Sequence, residues 1–136
     1  MASYQKETAA SLNAVSTLVD WAETAAQRHS CLPDAWVNAC VVCIHELVFN
    51  VALYAERLDG APIVRVSLRV EDNGIVVSIE DNGQPFDPMR DAPDKVDTDL
   101  ASAEPGGRGV RIVRRMARVM SYLRAGDWNC VRLEIA

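Results

Sequence analysis

The stretch IVRVSLRVEDNGIVVSIEDNG, residues 63–83, alternates apolar and polar side chains on both sides of an Asn-Gly pair. Val64, Val66, Leu68 and Val70 share one parity; Arg65, Ser67 and Arg69 share the other. A period of two marks a half-buried strand, and one dry face beside one wet face belongs to an antiparallel sheet. Asn73-Gly74 reads as the hairpin turn between two such strands. Beyond it Ile75, Val77 and Ile79 continue the inward parity, and the next residue on that parity is Asp81. Two readings fit Asp81. Either the strand has ended and the aspartate begins a turn, or it points inward. An inward carboxylate is costly unless donors reach it, and a ligand carrying N–H groups is one source. Gly83 removes a side chain that would block a close approach.

Upstream the period becomes helical. Leu12, Val15, Val19, Ala22 and Ala26 predict a helix over about 7–28, ended by the run RHSCLPD, where Pro33 disfavours helix at Leu32. A second helix is predicted over about 34–57, with Val37, Val41, Ile44, Val48, Val51 and Ala55 as its stripe. Its opposite side carries Val42, Phe49 and Leu53, which places it between layers. Glu46 and Asn50, four apart and so neighbours on one face, interrupt that second side. They are either buried polar groups satisfied by loop backbone or the start of a magnesium site. In the second case Asn50 offers an amide oxygen and Glu46 polarises a nearby water or hydroxyl.

Downstream, residues 89–105 are polar, proline-bearing and aperiodic, which suggests a lid. PGGRGVRIV then sets Gly106, Gly107 and Gly109 at the mouth of a helix expected over about 110–120. Helix N-termini favour phosphate, and Arg108 adds charge-assisted donors, although glycines before helices are common in plain loops. No G-x-x-x-x-G-K-[ST] run occurs. Val110, Val113, Met116, Ala117 and Met120 form the helix's core stripe, with Arg111, Arg114, Arg115 and Arg118 together on the other side. MSYLRA, a Gly126-Asp127 turn and WNCVRLEIA close the chain as a hairpin. This order predicts one α+β domain over residues 1–136: a two-layer sandwich with helices on one face of a mainly antiparallel sheet.

The 136 residues, 49% apolar and 24% charged, suit one ordered domain with a real core. A net charge of −5 makes nucleic acid a poor partner. No apolar run approaches membrane-spanning length, and the N-terminus lacks a signal-peptide core, so a cytosolic protein is expected. Cys31, Cys40, Cys43 and Cys130 need no disulfide framework there. Cys40 and Cys43 lie within a helical pattern, where small buried hydrophobes are the ordinary reading. A zinc site built with His29 and Cys31 is the distant alternative.

HELVFNVALYA, IEDNGQPFDP and GGRGVRIVRRM, in that order, resemble the N, G1 and G2 boxes of the gyrase, histidine-kinase and heat-shock chaperone ATPase superfamily. The short chain and the PFDP tail most resemble its anti-sigma factor serine/threonine kinases, across about residues 34–136. The resemblance implies the histidine-kinase-like (Bergerat) ATPase fold, with ATP and Mg2+ as cofactors. It implies that Asn50 coordinates magnesium, Glu46 is general base toward an incoming hydroxyl, and Asp81 accepts the adenine amino group. Gly83 would shape the base pocket, and Gly107, Arg108 and Gly109 would belong to the phosphate lid. Implied partners are an anti-sigma factor antagonist of the sulfate-transporter/anti-sigma-antagonist (STAS) type, a sigma factor, and a second copy of the chain. The chain departs from the pattern at Tyr54, where such N boxes often carry His, and in the arginines after the G2 box. The strand that often precedes the first helix is expected to be absent or very short. A nucleotide-gated binding module without phosphotransfer is the rival expectation.

Overall fold

In the computed structural model, which describes residues 1–55, 60–91 and 107–136 (backbone only at 107 and 108), the alternating runs form the centre of a sheet. The elements are β1 (Ala2–Ala9), α1 (Leu12–Gln27), α2 (Asp34–Tyr54), β2 (Ile63–Glu71), β3 (Gly74–Asp81), α3 (Pro88–Asp91), α4 (Gly107–Met116), β4 (Val119–Ala125) and β5 (Trp128–Ile135). The five strands form one antiparallel sheet in the order β1-β2-β3-β5-β4. The expected α+β architecture, helices on one face of an antiparallel sheet, is what the chain adopts.

The register explains the core. Val66 lies opposite Ile79, and Leu68 opposite Val77, which in turn faces Leu133. All are buried, and each such side chain contributes roughly 1.5–3 kcal/mol. From above, α1 supplies Leu18 with the small Ala14, Ala22, Ala25 and Ala26, which let α2 approach closely. The facing side of α2 supplies Cys40, Cys43, Ile44, Leu47, Val48 and Val51. The predicted apolar second side of α2 has a simpler cause than burial between layers. α2 runs between α1 and α4 within a single helix layer, and Val42, Phe49 and Leu53 are only half-buried.

Several boundaries differ from expectation. The first strand is present and eight residues long, pairing Ala2–Ala9 with β2 from Val70 to Ile63, and α1 starts at Leu12 rather than near residue 7. The β2–β3 turn is Asp72-Asn73, not Asn73-Gly74, because Glu71 pairs with Gly74. Gly74 is instead a strand residue pressed on β5, where a Cβ would lie 2.5 Å from the Ile135 oxygen. The last helix starts at Gly107 and ends at Met116; Arg118 N–H then donates to the Glu134 oxygen at 2.7 Å, drawing the chain into β4. The final turn is as read, with Gly126 at φ 58° taking the first position of a II′-type turn. The 21-residue α2 is, by length and composition alone, apolar enough to cross a membrane, contrary to the expectation of no such run. Here Cys40, Cys43, Ile44, Leu47, Val48 and Val51 pack one side of it into the core against the sheet. The end of the predicted second helix beyond 55 and most of the predicted lid lie outside the described residues.

Candidate functional site

β3 ends on Asp81 while still inside the ladder, directly opposite Asn129 of β5 and Val64 of β2. The inward reading is therefore the correct one, and the carboxylate is 5% exposed. Two donors meet it, both at Oδ1: the Gly83 N–H at 3.0 Å and the Asn129 Nδ2 at 3.0 Å. Neither bond engages Oδ2. Burial pushes the Asp81 pKa above the ordinary carboxylate value, while those two bonds and the Arg124 charge pull it down.

Asn129, 1% exposed, is a functional candidate that the sequence reading missed. Its Nδ2 also donates to the Gln84 oxygen at 2.8 Å; its Oδ1 accepts from the Phe86 N–H at 3.1 Å and the Tyr122 hydroxyl at 2.6 Å. Arg124 Nη1 donates to the Gly83 oxygen at 2.8 Å, so β4 and β5 together pin the loop after β3. Asn82 turns away and ties that loop to β2, its Oδ1 accepting from the Ile63 N–H at 2.6 Å. The signal for Asn129 was available: it shares the inward parity of Val131, Leu133 and Ile135, just as Asp81 shares that of Ile79.

Asn50 projects from α2 over the same end of the sheet. It is 2% exposed, and neither Oδ1 nor Nδ2 has a hydrogen-bond partner among the described residues. Loop backbone therefore does not satisfy it there, and an orphaned buried amide costs about 1–3 kcal/mol. Asn50, Asp81 and Asn129 line one narrow cavity of about 10 Å³, with Leu47, Ile79 and Val131 as apolar walls. Phe86 and Pro88 also line it, and the Phe86 ring stacks on Tyr54 with centroids 5.1 Å apart.

Glu46 sits one turn earlier on α2, its side chain 22% exposed. Its Oε1 is 3.6 Å from His45 Nδ1, and its Oε2 occupies the space that a Cβ on Gly109 would fill. A carboxylate against the first turn of α4 meets the positive end of that helix. Gly109 is thus a glycine because Glu46 lies there. Gly83 has an equivalent cause: a Cβ would overlap the Ala55 oxygen and lie 2.6 Å from the Ala55 Cβ, so its close approach is to the end of α2. The structure brings Asn50 and Asp81 together, and Glu46 and Gly109 together. Gly107 opens α4, and the Arg108 side chain lies outside the described residues.

The predicted arginine face divides. Arg118 lies past α4 and pairs with Glu134 at 3.1 Å; Arg114 donates to the Met89 oxygen at 3.2 Å; Arg111 and Arg115 are exposed. The thiols of Cys40 and Cys43 are fully buried, and burial pushes them up to about 12 and about 11. His29 bonds the Tyr4 hydroxyl at 2.7 Å, and no group of three or more His, Cys, Asp or Glu among the described residues is placed to hold a metal.

Comparison with known proteins places these features in a family context. The model of the histidine kinase-like ATPase domain matches residues 8–135. The serine/threonine-protein kinase BtrW of Bordetella bronchiseptica is 27% identical over 110 residues, 78% of each chain. Among solved structures, the RsbU and RsbW domains of Rv1364c from Mycobacterium tuberculosis superpose with a TM-score of 0.70 at 14% identity. That match covers 99% of this chain and 32% of the solved one. The histidine kinase domain of the Erythrobacter litoralis EL346 blue-light activated kinase matches at 0.56 and 15% identity, covering 91% of this chain and 58% of the other.

Proposed function

Because the chain belongs to the histidine kinase-like ATPase domain family, we propose that it is an ATP- and magnesium-dependent serine/threonine protein kinase of the anti-sigma regulatory type. The carrying observation is Asn50: a buried amide with neither polar atom bonded among the described residues, beside a buried carboxylate whose Oδ2 receives none of the bonds described above. Both groups suit a ligand that brings its own donors and a cation. When bound, ATP with magnesium supplies the phosphoryl group and the positive charge that steadies its transfer.

The residues divide the work. Asp81 Oδ2 accepts the adenine amino group, on a floor stiffened by Asn129. Asn50 would hold the magnesium through its side-chain oxygen. Gly107, Arg108 and Gly109, at the mouth of α4, would hold the phosphates. Glu46, four residues before Asn50, orients the partner's hydroxyl and takes its proton. The cavity, at about 10 Å³, is far short of a purine ring, so a base in this pose would require the wall formed by Phe86 and Pro88 to open. The substrate would be a serine or threonine on an antagonist of the STAS type, with a sigma factor and a second copy of the chain as further partners. BtrW, a serine/threonine-protein kinase by name, supports this reading. The four free thiols suit the cytosol.

Glu46→Gln tests it. Labelled ATP is incubated with wild type or variant and antagonist domains from neighbouring genes. Transfer by wild type, at least ~100-fold reduced in the variant with ATP affinity retained, is expected. A second reading, a nucleotide-gated binding module, is favoured by the packing of Glu46 on Gly109, which gives that carboxylate a structural use. Tight ATP binding with no transfer by wild type would select the module.

A further inference from the structure

Asn129 makes four hydrogen bonds, and two of its partners can play only one role. The Phe86 N–H can only donate, and the Gln84 carbonyl can only accept. Together they fix the amide against a flip: Oδ1 faces Phe86 and Nδ2 faces Gln84. The group that Asn129 presents to Asp81 Oδ1 at 3.0 Å is therefore an N–H donor. The Gly83 N–H adds a second donor to the same oxygen. Asp81 Oδ1 is thereby held as an acceptor, and whatever a ligand meets is decided at Oδ2. An ionised carboxylate offers a lone pair there; a protonated one offers an O–H. A 6-amino purine needs the first, and a 6-oxo purine needs the second.

Burial works against ionisation of Asp81, whereas the Asn129 and Gly83 donors at 3.0 Å, together with the Arg124 charge, favour the ionised form. We propose that Asn129 is the positioning residue that sets base specificity, holding Asp81 as a pure acceptor so that a 6-amino purine is taken and a 6-oxo purine refused. Asn129 has no hydrogen-bonding capacity left for the base itself, since its two N–H groups and both lone pairs of Oδ1 are engaged within the protein. It acts through Asp81. The inference rests on the nucleotide-binding part of the proposed function.

Titration calorimetry of ATP and of inosine triphosphate, each with magnesium, into the full chain tests it. Wild type should bind ATP more tightly by roughly 10- to 100-fold, the span of a hydrogen bond to a charged group. Asn129→Asp is nearly isosteric but sets an oxygen against Asp81 Oδ1, so the two carboxyls share a proton and the pair can donate. The ratio should fall to within about 3-fold, mainly through lost ATP affinity. Should that variant not fold, Asn129→Ser decides, because a hydroxyl can donate or accept and no longer dictates the state of Asp81. A purely structural role would weaken both nucleotides in parallel. A folded variant that keeps the wild-type ratio overturns the inference and leaves the proposed function standing, as does a wild type that binds both equally well. A wild type that binds neither nucleotide overturns both.

Discussion

Replacing Asn50 by alanine should make the ligand-free protein more stable while disabling it. The side chain is 2% exposed in the middle of α2, with both amide atoms unbonded among the described residues. Removing an uncompensated buried amide returns about 1–3 kcal/mol. Placing alanine in a helix interior adds about 0.5 kcal/mol. The enlarged cavity offsets this by roughly 0.5–1 kcal/mol, taking ~24 cal/mol per Å³ over the few atoms removed. The net expectation is a gain of about 1–2 kcal/mol, a rise of about 3–8 °C for a domain of this size. Urea unfolding of both proteins reads the difference as a shift in midpoint at constant slope. The titration is then repeated with magnesium and ATP: wild type should gain stability by mass action and the variant should not. A variant less stable than wild type by about 1 kcal/mol or more would count against this, because Asn50 would then be satisfied within the folded chain.

Asp81→Asn should weaken ATP binding at least ~10-fold by calorimetry, since an amide nitrogen or an uncharged oxygen replaces the charged acceptor. The same variant should change stability with pH. The pKa of Asp81 is raised above the ordinary 3.8 by burial, so its contribution is fully present below that value and is lost as pH rises through the folded-state pKa. Asp81→Asn should therefore gain on wild type as pH rises through that window in a urea series, and a constant difference would count against it. Gly109→Ala should displace the Glu46 carboxylate, cutting phosphotransfer at least ~10-fold in the labelled-ATP assay while lowering thermal stability by only a few degrees. Brief alkylation at pH 8 followed by mass spectrometry should modify the exposed Cys31 first. Cys40 and Cys43, buried and with thiols raised to about 12 and about 11, should react only on unfolding.

The hairpin of β2 and β3 was readable because one face is buried and the other wet, so alternation is written into Val64 to Ile79. Asp81 stood out for the same reason, as a charge on the apolar parity. Asn129 sends the same signal more faintly, since an amide on that parity is less anomalous than a carboxylate. Its importance comes from being opposite Asp81, and strand pairing between residues 48 apart is not written in either segment. β1 was hidden because its inward positions are Ala2, Tyr4, Lys6 and Thr8, all half-buried, which make no apolar alternation. It is a strand because β2 offers it an eight-residue ladder. The α4–β4 boundary was misplaced because Val113, Ala117 and Met120 fit a helical stripe. The Arg118 bond to Glu134, a tertiary contact, ends that stripe early. The glycines were legible as close approaches, but not what they approach: Ala55 for Gly83 and Glu46 for Gly109.

On the proposed function, the cavity between Asn50, Asp81 and Asn129 opens to receive an adenine nucleotide. Titrating magnesium and ADP into isotopically labelled protein, with the side-chain amides of Asn50 and Asn129 and the Gly83 N–H followed by NMR, tests it most directly. Saturable shifts of all three groups with one shared dissociation constant are expected. Saturable binding that leaves them unmoved, with shifts on the open face of the sheet around Ser67, Ser78 and Arg132, would contradict it.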